Sequence, residues 1–264
     1  MNNAKDFFME YIDIGLNLFC DQFRGKEDTI MENAAKNGVG IIITGSSYQS
    51  SMSAAEYVSS HPGVYCTAGV HPHAAKTCTD KVIDSFRALL DRPDVVAVGE
   101  CGLDYDRMFS PREVQLEWFE RQIELAEETG KPLFLHERSA EDDFYDILSK
   151  HPDVCGRAVV HCFTGKRKTA KRYLSLGTMI GITGWICDDR RNADLLDAVK
   201  VIPPDRLMAE TDAPYLMPRI KGLKNPNVPE NIKYVVGRIA KEKCASENAL
   251  RQILLNNTRR FFGI

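Results

Sequence analysis

Short apolar, β-branched runs recur along the chain, each separated from the next by a polar, amphipathic stretch long enough for a helix. The runs occupy residues 11–18 (YIDIGLNL), 39–46 (VGIIITGS), 64–71 (VYCTAGVH), 95–104 (VVAVGECGLD), 132–138 (PLFLHER), 158–165 (AVVHCFTG), 178–186 (TMIGITGWI) and 207–216 (LMAETDAPYL), which predicts eight strands. Between them, residues 26–37, 50–60, 80–91, 111–129, 140–150, 167–176 and 191–201 predict helices, and in the longest Leu116, Phe119, Ile123 and Ala126 fall at helical spacing. Gly38, Gly130 and Gly177 follow three of these stretches, where a left-handed cap is sterically cheap. Eight β-then-α units with parallel crossovers predict an α/β fold, a (β/α)8 TIM barrel, with a doubly wound open sheet as the alternative. No linker interrupts the rhythm. The Pro-rich stretch 216–230 (LMPRIKGLKNPNVPE) reads as a loop over the barrel mouth and 231–262 as the last helical material, so 1–264 reads as one domain.

Composition narrows the function classes. With 264 residues, 44% hydrophobic and 27% charged, the chain has the material for a globular core, which excludes a disordered or fibrous protein. A formal charge of −3 provides no global basic field, so any contact with a polyanion must be local. Neither a run of about 18 apolar residues nor an apolar core behind the start MNNAKDFFMEY is present, which predicts a cytoplasmic protein with no membrane partner. The eight cysteines form no C-x-x-C pair and read as reduced thiols, with Cys66, Cys101 and Cys162 acting as small hydrophobes inside apolar runs.

In a barrel the working face is the C-terminal end of the strands. There the chain supplies Asn17, Thr44, His71, Glu100 with Asp104, His136, His161, Trp185, and Glu210 with Asp212, and His73 lies two residues beyond His71. Side chains alternate along a strand, which aligns Asp13, Gly15 and Asn17 on one face, Glu100, Gly102 and Asp104 on another, and pairs Glu210 with Asp212; Cys101 and Cys162 are then expected to point the opposite way. Taken alone, His136 in FLHE reads as readily as a satisfied core residue. Glu100 in VAVGECG does not, because an unpaired carboxylate after four apolar residues costs several kcal/mol to bury. Histidines and carboxylates converging on one mouth repel among themselves unless protonated or neutralised, and a divalent cation resolves the conflict; this donor mixture suits Zn²⁺, Mn²⁺ or Mg²⁺.

The strings GVHPH (69–73), GECGLD (99–104), LH (135–136), HCFTG (161–165), GITGW (181–185) and ETDAPYL (210–216), in this order and each at a strand end, resemble the TatD family of metal-dependent deoxyribonucleases. The resemblance implies a barrel of the metal-dependent hydrolase type, acting on DNA as a 3′-to-5′ exonuclease with Mg²⁺ as the expected cation and Mn²⁺ or Zn²⁺ as alternatives. Carried over by position, it implies Glu100, His136, His161 and Asp212 as metal ligands. Asp212 would also orient or deprotonate the attacking water, His71 would contact the scissile phosphate and, if protonated, stabilise charge on the phosphoryl oxygens, and Glu210 would support the group from behind. Asn17, His73, Asp104, Trp185 and Arg219 are the expected substrate contacts.

Two departures stand out. Many members carry Asp-x-His-x-His on the first strand, whereas this chain reads Asp13-Ile14-Gly15-Leu16-Asn17, so one of two cation positions is expected to be weakened or absent; the wording resembles the bacterial TatD branch. Where relatives often show Asn-Glu-Pro, residues 225–229 read NPNVP. Local charge for DNA comes from Lys166, Arg167 and Lys168, from Arg190 and Arg191, and from Arg219, Lys221 and Lys224, while Tyr105, Phe109, Trp185 and Tyr215 offer stacking surfaces that favour single strands or frayed 3′ ends. Two other function classes are a hydrolase of small amides, lactones or aminoacyl esters, which requires a closed apolar pocket, and a noncatalytic binding protein. The sequence leaves the oligomeric state open, with a monomer as the working expectation.

Overall fold

The structure is a computed structural model and describes residues 9–264; the start MNNAKDFFMEY, read above for an apolar core, lies largely outside the described residues. Eight strands follow one another in the order β1 to β8, all neighbours parallel. They are β1 (Tyr11–Leu16), β2 (Val39–Ile43), β3 (Tyr65–Ala68), β4 (Val95–Asp104), β5 (Leu133–Arg138), β6 (Ala158–Val160), β7 (Met179–Ile182) and β8 (Leu207–Ala209). The connecting helices are α1 (Glu27–Lys36), α2 (Tyr48–Ser59), α3 (Asp80–Leu90), α4 (Arg112–Thr129), α5 (Glu141–Leu148), the short α6 (Pro152–Cys155), α7 (Arg167–Ser175) and α8 (Ala193–Val201). The predicted TIM barrel is present, and the open sheet is excluded by its closure. Beyond β8, Leu16 and Ala213 form a parallel bridge, and Asn17 N donates to Ala213 O at 2.9 Å.

Alternation along the strands sorts the apolar residues into two layers. Ile12, Ile14, Ile42, Val96, Phe134, Val159, Met179 and Met208 fill the barrel, and Leu255 and Phe262 of the last helix, α10 (Glu247–Phe262), plug its lower end. Ile41, Ile43, Cys66, Val98, Cys101, Leu135, Val160 and Ile182 face outward, under the helices. Burying both faces is what lets a parallel sheet carry near-continuous apolar runs. The sequence runs overestimate strand length at β3, β6 and β8, where the chain leaves the sheet early to build the mouth. After β8 the stretch 210–228 is irregular and leads through a short turn into α9 (Ile232–Glu242).

A candidate metal centre at the barrel mouth

Glu100 is the hub. The pairing of β4 with β5 shifts register between Gly99 and Cys101, so Glu100 sits at a bulge that re-aims its side chain, and its N–H donates to Gly45 O beyond β2 at 2.6 Å. Three imidazoles surround its Oε1: His161 Nε2 at 2.7 Å, His136 Nδ1 at 3.1 Å and His71 Nε2 at 3.4 Å. Burial opposes ionisation of Glu100, but His71, His161 and His136 outweigh it and hold the carboxyl well below its ordinary range. Burial likewise works against a charged His161, yet Glu100 and Glu210 on its two ring nitrogens raise it well above the usual imidazole value.

Glu210 occupies a slot of its own. It accepts from Cys162 N at 2.5 Å and lies 3.2 Å from His161 Nδ1. A Cβ at Gly15 would stand 2.6 Å from Glu210 Oε2, and one at Gly181 would stand 2.7 Å from Oε1. The missing side chain at position 15 is therefore the space that this carboxylate fills. Asn17, next on that strand, donates through Nδ2 to Asp212 Oδ1 at 2.8 Å. Asp212 has a left-handed backbone (φ 53°), and burial pushes its carboxyl up to about 7.

The second ring of contacts fixes the β3 and β4 ends. His73 Nε2 lies 2.7 Å from Asp104 Oδ2, while Asp104 Oδ1 accepts from Asp106 N and Arg107 N at 2.9 Å. Two buried glutamines of α4 clamp the backbone from behind. Gln115 exchanges hydrogen bonds with Asp104 N and O at 2.9 and 3.1 Å, and Gln122 with Val70 N and O at 2.7 and 3.2 Å. Neither was singled out from the sequence, although an amide seven residues from another on an otherwise apolar helix face is a visible signal.

Asn17, His71, His73, Glu100, Asp104, His136, Trp185 and Asp212 line one cavity of about 1360 Å³. His161 lies directly beneath, against Glu100 and Glu210. One expectation changes. Cys162 does not point away: its left-handed backbone (φ 49°) breaks the alternation and turns it into the cavity lining. Burial lowers the pKa of His71 to about 3, and its Nδ1 accepts from His73 N at 3.0 Å, so the neutral ring carries its proton on Nε2. Arg219 stands outside the lining residues, its Nε 3.6 Å from Asp188 on the rim.

The donor set fits a divalent cation. Among the described residues, His71, Glu100 and His136 present ligand atoms within 4.8 Å of one another, and the buried Nε2 of His136 has no hydrogen-bond partner. The protonated His71 Nε2 is better suited to donate than to ligate, whereas His161 Nε2 lies closest to Glu100. Among the described residues, no helix is long and apolar enough to cross a membrane.

Comparison with known proteins bears on this arrangement. Residues 12–263 match the model of the TatD related DNase family. The chain is 42% identical over 257 residues to a protein of Rahnella sp. (strain Y9602) named 3′-5′ ssDNA/RNA exonuclease TatD, covering 96% of this chain and 98% of the relative. The similarly named protein of Klebsiella pneumoniae (strain 342) is 39% identical over 256 residues, covering 96% and 97%. Among solved structures, the TatD homologue YjjV of Escherichia coli superimposes with a TM-score of 0.88 at 29% identity, covering 97% of this chain and 99% of that one. With its ordered motifs at the strand ends of one barrel mouth and a match over nearly its full length, the chain belongs to the TatD related DNase family.

Proposed function

We propose that the protein is a metal-dependent nuclease that hydrolyses single-stranded DNA from its 3′ end, with one barrel spanning the chain and Mg²⁺ as its working cation. The observation that carries this reading is the convergence of Glu100 with three imidazoles in an open cavity, on the scaffold of a DNase family whose relatives are named exonucleases. As a member of that family the protein is a hydrolase of nucleic-acid phosphodiester bonds.

Glu100, His136, His161 and Asp212 would hold the cation, which when bound supplies Lewis-acid polarisation of a phosphoryl oxygen and lowers the pKa of water. The remaining work belongs to the protein's own groups. Asp212, held in place by Asn17, would take the proton of the attacking water. Neutral His71 donates its Nε2 proton to a phosphoryl oxygen, a preorganised dipole where charge develops. Glu210 holds the ring of His161 in orientation, and Asp104 does the same for His73 at the cavity edge. The wide, charged lining does not match the closed apolar pocket that an amide or lactone hydrolase requires.

The deciding assay follows single-stranded DNA labelled at either end, with EDTA and then with added Mg²⁺, Mn²⁺ or Zn²⁺. Cation-dependent shortening from the 3′ end is expected; DNA left intact with every cation, beside hydrolysis of an ester or amide panel, would overturn the reading.

A further inference from the structure

The surroundings of the cavity differ in charge from one side to the other. On one side Asp106, Glu137, Glu141, Asp142 and Asp143 stand against Arg107, Arg112, Arg138, Lys166 and Arg172, with Arg138, Arg172 and Arg112 paired at 2.5 to 3.3 Å, so five negative charges offset five positive ones and that side carries no excess positive charge. On the other, one buried carboxylate gathers three arginines. Asp188, with its side chain only 3% exposed, receives Arg190 through two nitrogens at 2.8 and 2.7 Å, Arg191 at 2.9 Å, and Arg219 at 3.6 Å. The arginine side chains remain about half-exposed, at 61%, 49% and 61%. Three positive charges against one negative leave a surplus of two, with hydrogen-bond donors turned to solvent. On the flank, Arg238 is shared between Asp189 and Glu242, at 2.9 and 3.0 Å.

The patch is joined to the reaction centre. Trp185 lines the cavity, and Arg191 lies over its ring at 3.6 Å, so one step leads from the cavity wall to the first arginine. Arg219 arrives from the segment after β8, which is seated against the 3₁₀ turn Gly184–Cys187 so closely that a Cβ at Gly184 would meet Leu216 O at 2.1 Å. The same loop adds exposed Lys221 and Lys224. Pinning by Asp188 removes much of the ordering cost that free arginines incur on binding an anion.

We infer that Arg190, Arg191 and Arg219, organised by Asp188 and extended by Lys221 and Lys224, form a phosphodiester-backbone site that holds the nucleic-acid strand beyond the nucleotide being cleaved. This rests on the nuclease reading and adds a direction to it: the strand leaves the mouth over Trp185 and avoids the charge-balanced β5–α5 side. Guanidinium and ammonium contacts to phosphate carry no sequence preference, so the site is indifferent to base identity.

The test is fluorescence anisotropy of a labelled, phosphorothioate-linked 20-nucleotide single strand bound to the full chain with Mg²⁺, from about 50 to 200 mM KCl. The R190Q/K221Q/K224Q variant is expected to bind roughly tenfold more weakly and to lose about 0.7 from the slope of log affinity against log salt for each phosphate contact removed. Charge-retaining R190K/K221R/K224R should keep the wild-type slope. K221Q/K224Q, at exposed positions, keeps the test open if Arg190 is needed for folding. Wild-type affinity and slope in both neutralised variants overturn the inference, as does failure of the wild-type protein to bind the strand. Anisotropy reads binding alone, so an enzyme that binds DNA but never cuts it refutes the nuclease reading without touching this one.

Discussion

Two arcs of the barrel mouth solve the problem of buried charge differently. On the arc from β3 to β6, Glu100 is surrounded by imidazoles at 2.7 to 3.4 Å, and its charge is met by His136 and His161, whose pKa values it raises. On the seam between β1 and the chain beyond β8, Asp13, Glu210 and Asp212 are held mainly by neutral donors: the backbone of Gly15, Thr211 and Cys162, the Thr211 hydroxyl, and the Asn17 amide. The first arc has titratable donors whose protons a cation can replace. The seam has preorganised dipoles that keep carboxylates in place whether or not a cation is present. The comparison teaches that this mouth is one ligand cluster leaning on a rigid frame, and substitutions on the two arcs should fail in different ways.

The sharpest break of that contrast is Glu100→Ala. It removes the group on which three imidazoles converge, and nuclease activity should fall by roughly 10³-fold or more, together with loss of cation binding measured by titration calorimetry. Circular dichroism should show the fold retained. Cation binding and activity near wild type in this variant would place the centre elsewhere.

A smaller effect is expected where the frame touches the cluster. Glu210→Gln keeps an acceptor for Cys162 N but weakens the hold on His161, and cation affinity should drop by about 10- to 100-fold, as for other groups that orient a ligand. Gly15→Ala should imitate it without altering a single polar group, because the added methyl would stand 2.6 Å from Oε2. If Gly15→Ala keeps full cation affinity, the slot is looser than the geometry indicates.

These cases also show where the sequence was legible. His136 and His161 close short apolar runs, so strand periodicity and the barrel rule point both to one mouth, whereas Glu100 stands mid-strand in β4 at a bulge and was legible as a carboxylate too costly to bury unpaired. The seam resisted because β8 has only three residues and the chain then turns through the left-handed Asp212, where alternation carries no information. Cys162 misled for the same reason. Gln115 and Gln122 were passed over because an amphipathic reading counts apolar positions, whereas their role is to satisfy strand-end backbone groups from a neighbouring element. Gln122→Leu, which leaves Val70 N and O without partners, should cost about 1–3 kcal/mol in urea unfolding and disturb His71 next in the chain. A change within experimental error would mean that water replaces the clamp.

The gentlest probe concerns the seam alone and reads it through pH. Asp13 is fully buried, accepts from Thr211 N at 2.8 Å and Gly15 N at 3.2 Å, and bonds to the Thr211 hydroxyl, which fastens β1 to the chain beyond β8. Burial pushes its carboxyl from 3.8 up to about 7, against those hydrogen bonds. Between these values the folded protein holds a proton that the unfolded chain has released. The contribution to stability is therefore full below about pH 4 and declines as pH rises toward 7, by at most about 1.4 kcal/mol per pH unit. Asp13→Asn keeps an acceptor for Thr211 N but cannot ionise, so its urea unfolding free energy should vary less between pH 4.5 and 7 than that of the wild type, while Asp212 titrates equally in both. Parallel curves would show that the neutral donors of the seam fully stabilise the ionised carboxylate, making this frame stiffer in charge as well as in shape.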